Sequence, residues 1–219
     1  MKNKNPNPNP NEILFRLIER YPELESCHTE ILAAYHSLKN TYAESGKVLV
    51  AGNGGSAADS EHIVGELMKS FLFKRKIDSN FYRSLVDSFG DSGEILANKL
   101  EGSLPTIALT SMPALTSAIS NDVDPEVTFA QLVYGYGNKG DAFVGISTSG
   151  NSKNIINALM VAKMKDMRTI ALTGRNGGKC NGLCDYVIHA PAEETFEIQE
   201  YHLPIYHALC AMLEANFFE

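Results

Sequence analysis

The chain lacks any apolar run approaching the ~18 uninterrupted residues that a membrane-spanning helix needs. It also lacks an apolar core at its start: Met1-Lys2-Asn3-Lys4-Asn5-Pro6-Asn7-Pro8 does not have the pattern of a secretory leader. No membrane attachment and a cytoplasmic location are therefore expected. Cysteine is scarce. Cys27, Cys180, Cys184 and Cys210 form no C-x-x-C pair, and without a secretory signal no disulfide framework is expected. The Cys180/Cys184 spacing suits a metal, but no second pair completes a site. Positive charge is in deficit. The formal charge of -7 argues against a nucleic-acid partner while leaving room for a local basic pocket.

What is present describes one large domain. A length of 219 residues and an apolar fraction of 44% suit a single sizeable core. Residues 1–11 are mostly Asn and Pro and are expected to be disordered. Residues 12–46 carry two helical stripes. Ile13, Leu14, Leu17 and Ile18 form the first; Ile31, Leu32, Tyr35, Leu38 and Tyr42 form the second. Preceding the first strand, these helices are expected to pack as an appendage, with stripes that fit either a partner subunit or their own core.

From residue 47 to 219 short β-rich runs alternate with helical stretches. Strands are expected at 47–51, 106–110, 141–147, 168–174 and 185–190, with a last helix from about Glu194 to Asn216. Such alternation implies an α/β fold with a parallel sheet covered on both faces. Ligands in such sheets sit at the carboxyl ends of the strands. Residues 74–104 break the rhythm and read as a surface insertion with a weak helix at Asp91–Leu100.

Two loops fall at that sheet edge. Gly52-Asn53-Gly54-Gly55-Ser56 follows the first strand and opens a helix, whose free N–H groups and positive dipole end favour an anion. It lacks the Lys of a nucleotide-binding P-loop, and alone it equals an ordinary tight turn. The second loop, Ser147-Thr148-Ser149-Gly150-Asn151-Ser152, places four hydroxyls in six residues. Helix capping explains one of them, not four. Donors without a fixed cation suit a phosphate monoester that must come and go.

Beside these loops stands a set that can do chemistry. His62 and Glu66 are four apart on the first helix after the loop, on one face. Gln199 and His207 are eight apart on the last helix, close to one face. Taken singly, His62–Glu66 is an ordinary solvated pair and His207 an ordinary core histidine. Together they fit zinc, which accepts imidazole and carboxylate donors, and they fit aldose–ketose isomerisation. That reaction needs a base to move a proton between neighbouring carbons, and an acid or metal to stabilise the enediolate. His28, His36, His189 and His202 are assigned to structure or surface.

At this point the motifs resemble the phosphoheptose isomerases of the sugar isomerase (SIS) fold family. Ala51-Gly52-Asn53-Gly54-Gly55-Ser56-Ala57-Ala58-Asp59-Ser60-Glu61-His62 is similar to that family's first motif, and Asn121-Asp122 to its Asn-Asp pair. Gly145–Ser152, Leu172-Thr173-Gly174 and Ile198-Gln199-Glu200-Tyr201-His202 with His207 resemble further motifs. The similarity spans roughly Leu14–Phe217 apart from the insertion.

The resemblance implies a three-layer α-β-α sandwich with a five-stranded parallel, flavodoxin-like sheet, preceded by N-terminal helices that serve oligomerisation as a homotetramer or dimer. It implies conversion of sedoheptulose 7-phosphate to D-glycero-D-manno-heptose 7-phosphate through an enediolate. It makes His62, Glu66, Gln199 and His207 the zinc ligands, and Glu66 and His207 the acid–base pair. The substrate contacts become Asn53, Gly54, Gly55, Ser56, Asn121, Asp122, Ser147, Thr148, Ser149, Ser152 and Gln199. A zinc-bound carboxylate is a poorer base, so zinc either shifts during turnover or is structural.

The chain also departs from the family pattern. Ser70 stands where the family has Arg four residues after the helix Glu, with Lys69 or Arg75 as candidate replacements. Pro204 removes a hydrogen bond from the last helix and is expected to kink it. A second reading is a non-catalytic SIS module that binds phosphosugars for regulation or assembly. Such relatives lack the Glu and the final His, and this chain has both.

Overall fold

The computed structural model describes residues 9–218, so most of the tail expected over 1–11 lies outside the described residues. Within them α1 already begins at Pro10 (Pro10–Arg20), with the Asn9 side chain accepting from Asn11 N. A short 3₁₀ stretch, Pro22–Cys27, leads into α2 (His28–Ala43). The strands are β1 (Val48–Gly52), β2 (Thr106–Ala108), β3 (Ala142–Ile146), β4 (Arg168–Gly174) and β5 (Tyr186–Ala190). Between and after them run α3 (Gly55–Met68), α4 (Ser79–Ala97), α5 (Pro113–Asp122), α6 (Thr128–Tyr136), α7 (Lys153–Met164) and α8 (Thr195–Phe217).

All five strands are parallel, in the order β2-β1-β3-β4-β5. This is the doubly wound arrangement expected from the strand–helix alternation. Every residue of β1 and β3 is buried, because helices cover both faces. Successive residues of β1 feed opposite cores. Val48 and Val50 join a cluster with α1, α2 and α8; Leu49 and Ala51 join another with α6 and α7. The order reverses direction between β1 and β3, and Gly52 pairs with Ile146 there. A sheet of this order opens its ligand crevice at that switch point.

Two local expectations change. The N-terminal helices are not an appendage: Leu14, Leu17, Leu24, Ile31 and Tyr35 are buried in the same cluster as the sheet and α8. In the insertion, Ser79–Ala97 is two helical segments broken at Gly90 (φ 54°, ψ -135°); the helix expected from Asp91 is the second, and the first was not expected. Asp78 caps the first by accepting from Asn80 N and Phe81 N. Pro204 lies inside α8, which continues from Thr195 to Phe217 through it. Among the described residues no helix is long and apolar enough to cross a membrane.

Candidate active site

The first loop turns tightly from β1 into α3. Gly54 takes a positive φ of 58°, a conformation open to glycine and costly for other residues. Gly55 faces α8 so closely that a Cβ there would lie 2.7 Å from Gln199 Nε2. No side chain caps α3; Ser56 N and Ala57 N donate to Asn53 O and Gly54 O, which leaves the N–H groups of Gly54 and Gly55 for a ligand. Asn53 is tied across to α7 by a reciprocal amide pair with Asn154: Nδ2 of each donates to Oδ1 of the other, at 3.0 and 2.9 Å.

The hydroxyls of the second loop are partly engaged with one another. Ser147 is buried, and its Oγ lies 2.9 Å from Ser152 Oγ. Ser149 Oγ accepts from Asn151 N at 3.2 Å. Ser152 stands at the start of α7 without a side-chain capping bond, which leaves those N–H groups open as well. Two uncapped helix starts therefore flank the crevice between β1 and β3. Asn121 and Asp122 are exposed at the end of α5, with Asn121 Nδ2 donating to Asp122 Oδ1. No hydrogen bond joins them to either loop among the described residues.

The helical spacing of His62 and Glu66 brings His62 Nε2 to 3.2 Å from Glu66 Oε1. From α8, His207 Nε2 reaches within 3.4 Å of His62 Nε2. Zinc–ligand bonds of ~2.0–2.1 Å in a tetrahedron set neighbouring ligand atoms about 3.3–3.4 Å apart. Both distances fit that edge, and the imidazole–carboxylate donor set fits the ion. A closed cage of three or more His, Cys, Asp or Glu is not preformed among the described residues. Gln199, the fourth expected ligand, lies against Gly55 on the first loop. His207 is half-buried and its pKa is lowered, by burial first and then by His62, with Glu66 opposing.

Sequence reasoning missed three neighbours. Tyr206 is buried on α8, and its hydroxyl lies 3.2 Å from Asp59 Oδ1 and 3.0 Å from His62 Nδ1. Burial raises the pKa of both Tyr206 and Asp59; the Asp59 charge adds to the effect on Tyr206. Asp59 stands three residues before His62 on one helix face, a readable signal. Tyr206 and Asn154 gave none, since their partners come from distant chain. The two candidate replacements for the family's Arg are also resolved. Arg75 is fully buried, its donors taken by Glu214, Leu67 O and Glu66 O, whereas Lys69 is exposed with Nζ 3.9 Å from Glu66 Oε2.

A family model described as SIS domain matches residues 96–174. A phosphoheptose isomerase of Aneurinibacillus thermoaerophilus is 41% identical over 81% of this chain and 76% of its own length. Phosphoheptose isomerase 2 of Campylobacter jejuni is 40% identical over 89% of this chain and 84% of its own. A solved phosphoheptose isomerase from Neisseria gonorrhoeae superposes with a TM-score of 0.68 at 32% identity, covering 90% of this chain and 91% of that one. The chain thus belongs to the phosphoheptose isomerase family of SIS-domain phosphosugar isomerases.

Proposed function

We propose that the chain converts sedoheptulose 7-phosphate to D-glycero-D-manno-heptose 7-phosphate. The observation that carries this reading is the meeting of His62, Glu66 and His207 across α3 and α8, within 3.2 and 3.4 Å, beside two uncapped helix starts. The N–H groups of residues 54 and 55 and of residues 148 and 149, with the hydroxyls of the Ser147–Ser152 loop, bind the phosphate. Asn53, Gln199, Asn121 and Asp122 meet the sugar hydroxyls.

The chemistry needs one carbon-bound proton moved and two oxygens served. One member of the Glu66–His207 pair takes the proton from C1 of the ketose, and the C2 carbonyl oxygen is protonated as the enediol forms. The same member returns a proton to C2 while the O1 proton leaves, which gives the aldose. Burial first, and then the neighbouring His62, lower the pKa of His207 and favour its neutral form, which can accept a proton. His62, Glu66, Gln199 and His207 would hold zinc. Such an ion supplies Lewis-acid stabilisation of the enediolate oxygens. Self-association as a homotetramer or dimer belongs to the same proposal and is read by sizing in solution.

Incubation with sedoheptulose 7-phosphate, with and without zinc, tests the reading, the isomers being separated by chromatography. Conversion that is lost in Glu66→Gln and in His207→Ala is expected. Binding of the sugar phosphate without conversion would overturn it in favour of the non-catalytic phosphosugar-binding module.

A further inference from the structure

Tyr206 is 2% exposed, yet its hydroxyl has two polar partners, both on α3. Edge-on ring contacts to His62 at 5.5 Å and to His207 at 5.0 Å hold the phenol in place between them. We infer that Tyr206 is a positioning residue that keeps the His62 proton on Nδ1 and so aims a bare Nε2 at Glu66 and His207.

The assignment follows from counting protons. A phenol has one proton to give, and an ionised carboxylate only accepts. The hydroxyl donates to Asp59 Oδ1. Its oxygen can then only accept from His62, so Nδ1 carries the hydrogen. A neutral imidazole with its hydrogen on Nδ1 has a free lone pair on Nε2.

Glu66 Oε1, 3.2 Å from that Nε2, pulls the other way: with nothing holding the hydrogen at Nδ1, the carboxylate would draw it to Nε2 and block the lone pair. The Asp59–Tyr206 pair wins this competition from the far side of the ring. It leaves two acceptors facing each other, an arrangement that a cation relieves. A histidine ligand's second nitrogen is commonly fixed by such an outer partner, whose loss weakens metal binding about 10- to 100-fold. This part of the inference rests on reading His62, Glu66 and His207 as the site; the tautomer does not.

Long-range proton–nitrogen NMR of the metal-free, histidine-labelled protein tests it, recorded above the imidazole titration range at about pH 8. His62 should show the Nδ1–H form. Tyr206→Phe, which removes only the hydroxyl, should move it toward Nε2–H. Asp59→Ala should do the same by freeing the phenol to donate to Nδ1. Zinc competition against a chelating indicator should show a 10- to 100-fold weaker site in Tyr206→Phe. Nε2–H in the unmodified protein, one tautomer in all three proteins, or unchanged zinc affinity would overturn the inference. A packing role alone would lower the unfolding midpoint and leave the tautomer unmoved. Failure to turn over the heptose phosphate is measured separately and bears only on the proposed reaction.

Discussion

Arg75 and Glu214 form an ion pair in which neither side chain is exposed, with Nε 2.7 Å from Oε1. The remaining Arg75 donors end the helix that bears Glu66: Nη1 donates to Leu67 O at 2.7 Å and Nη2 to Glu66 O at 2.8 Å. Glu214 also accepts from Phe71 N and Leu72 N. Removing one partner leaves a buried charge unpaired, which costs about 3–5 kcal/mol. Urea unfolding of Glu214→Leu should show a loss of that size. The double replacement with Arg75→Met should recover only part of it, because Phe71 N, Leu72 N, Glu66 O and Leu67 O still lose their side-chain partners. Equal losses in the single and double variants would mean that the pair is not the source.

His202 gives a pH dependence. It is fully buried and donates Nε2–H to Thr173 O, while its Nδ1 has no partner among the described residues. Burial pushes its pKa down from 6.5 to about 4, against the Thr173 bond. Between those values the unfolded chain binds more protons than the folded one, so stability falls as pH drops. The contribution is complete above pH 6.5, and about 3 kcal/mol is lost on reaching pH 4. Unfolding free energies from pH 4 to 7 should therefore slope less in His202→Gln than in the unmodified chain. Parallel slopes would contradict this.

Asn154 should matter to substrate binding although it need not touch the sugar. Its reciprocal pair with Asn53 fixes which end of that amide faces the crevice. Losing a bond of ~1 kcal/mol predicts about a fivefold rise in KM for Asn154→Ala, with kcat little changed. Steady-state kinetics check it; a fall in kcat at constant KM would place the effect elsewhere.

Gly55→Ala probes the closeness of the two motifs. The new methyl would sit 2.7 Å from Gln199 Nε2, the tip of a movable side chain, so folding should be little affected. Displacing that amide by about 1 Å should lower kcat/KM by about 10- to 100-fold. Unchanged kinetics would show that Gln199 does not need its place.

The sheet was legible because its strands are buried on both faces and so read as continuous apolar runs between helical stripes. The His62–Glu66 pairing was legible because four residues is one helical turn. What escaped depends on distant partners. Nothing local announces that Arg75 is buried, since Glu214 lies 139 residues away. Tyr206 is hidden for the same reason, its partners Asp59 and His62 standing 147 and 144 residues away. The first segment of α4, residues 79–89, was missed for a different cause. Its Ser and Asp content masks the periodicity, although the Asp78 cap was there to be read.

The central claim is that Glu66 and His207 move a proton from C1 to C2 of a heptose 7-phosphate. Turnover of sedoheptulose 7-phosphate in deuterated water, with the C2 position of the aldose read by NMR, tests it most directly. Deuterium at C2 wherever the carried proton exchanges with solvent, and no product from Glu66→Gln, are predicted. Aldose formed by Glu66→Gln at the unmodified rate would contradict it.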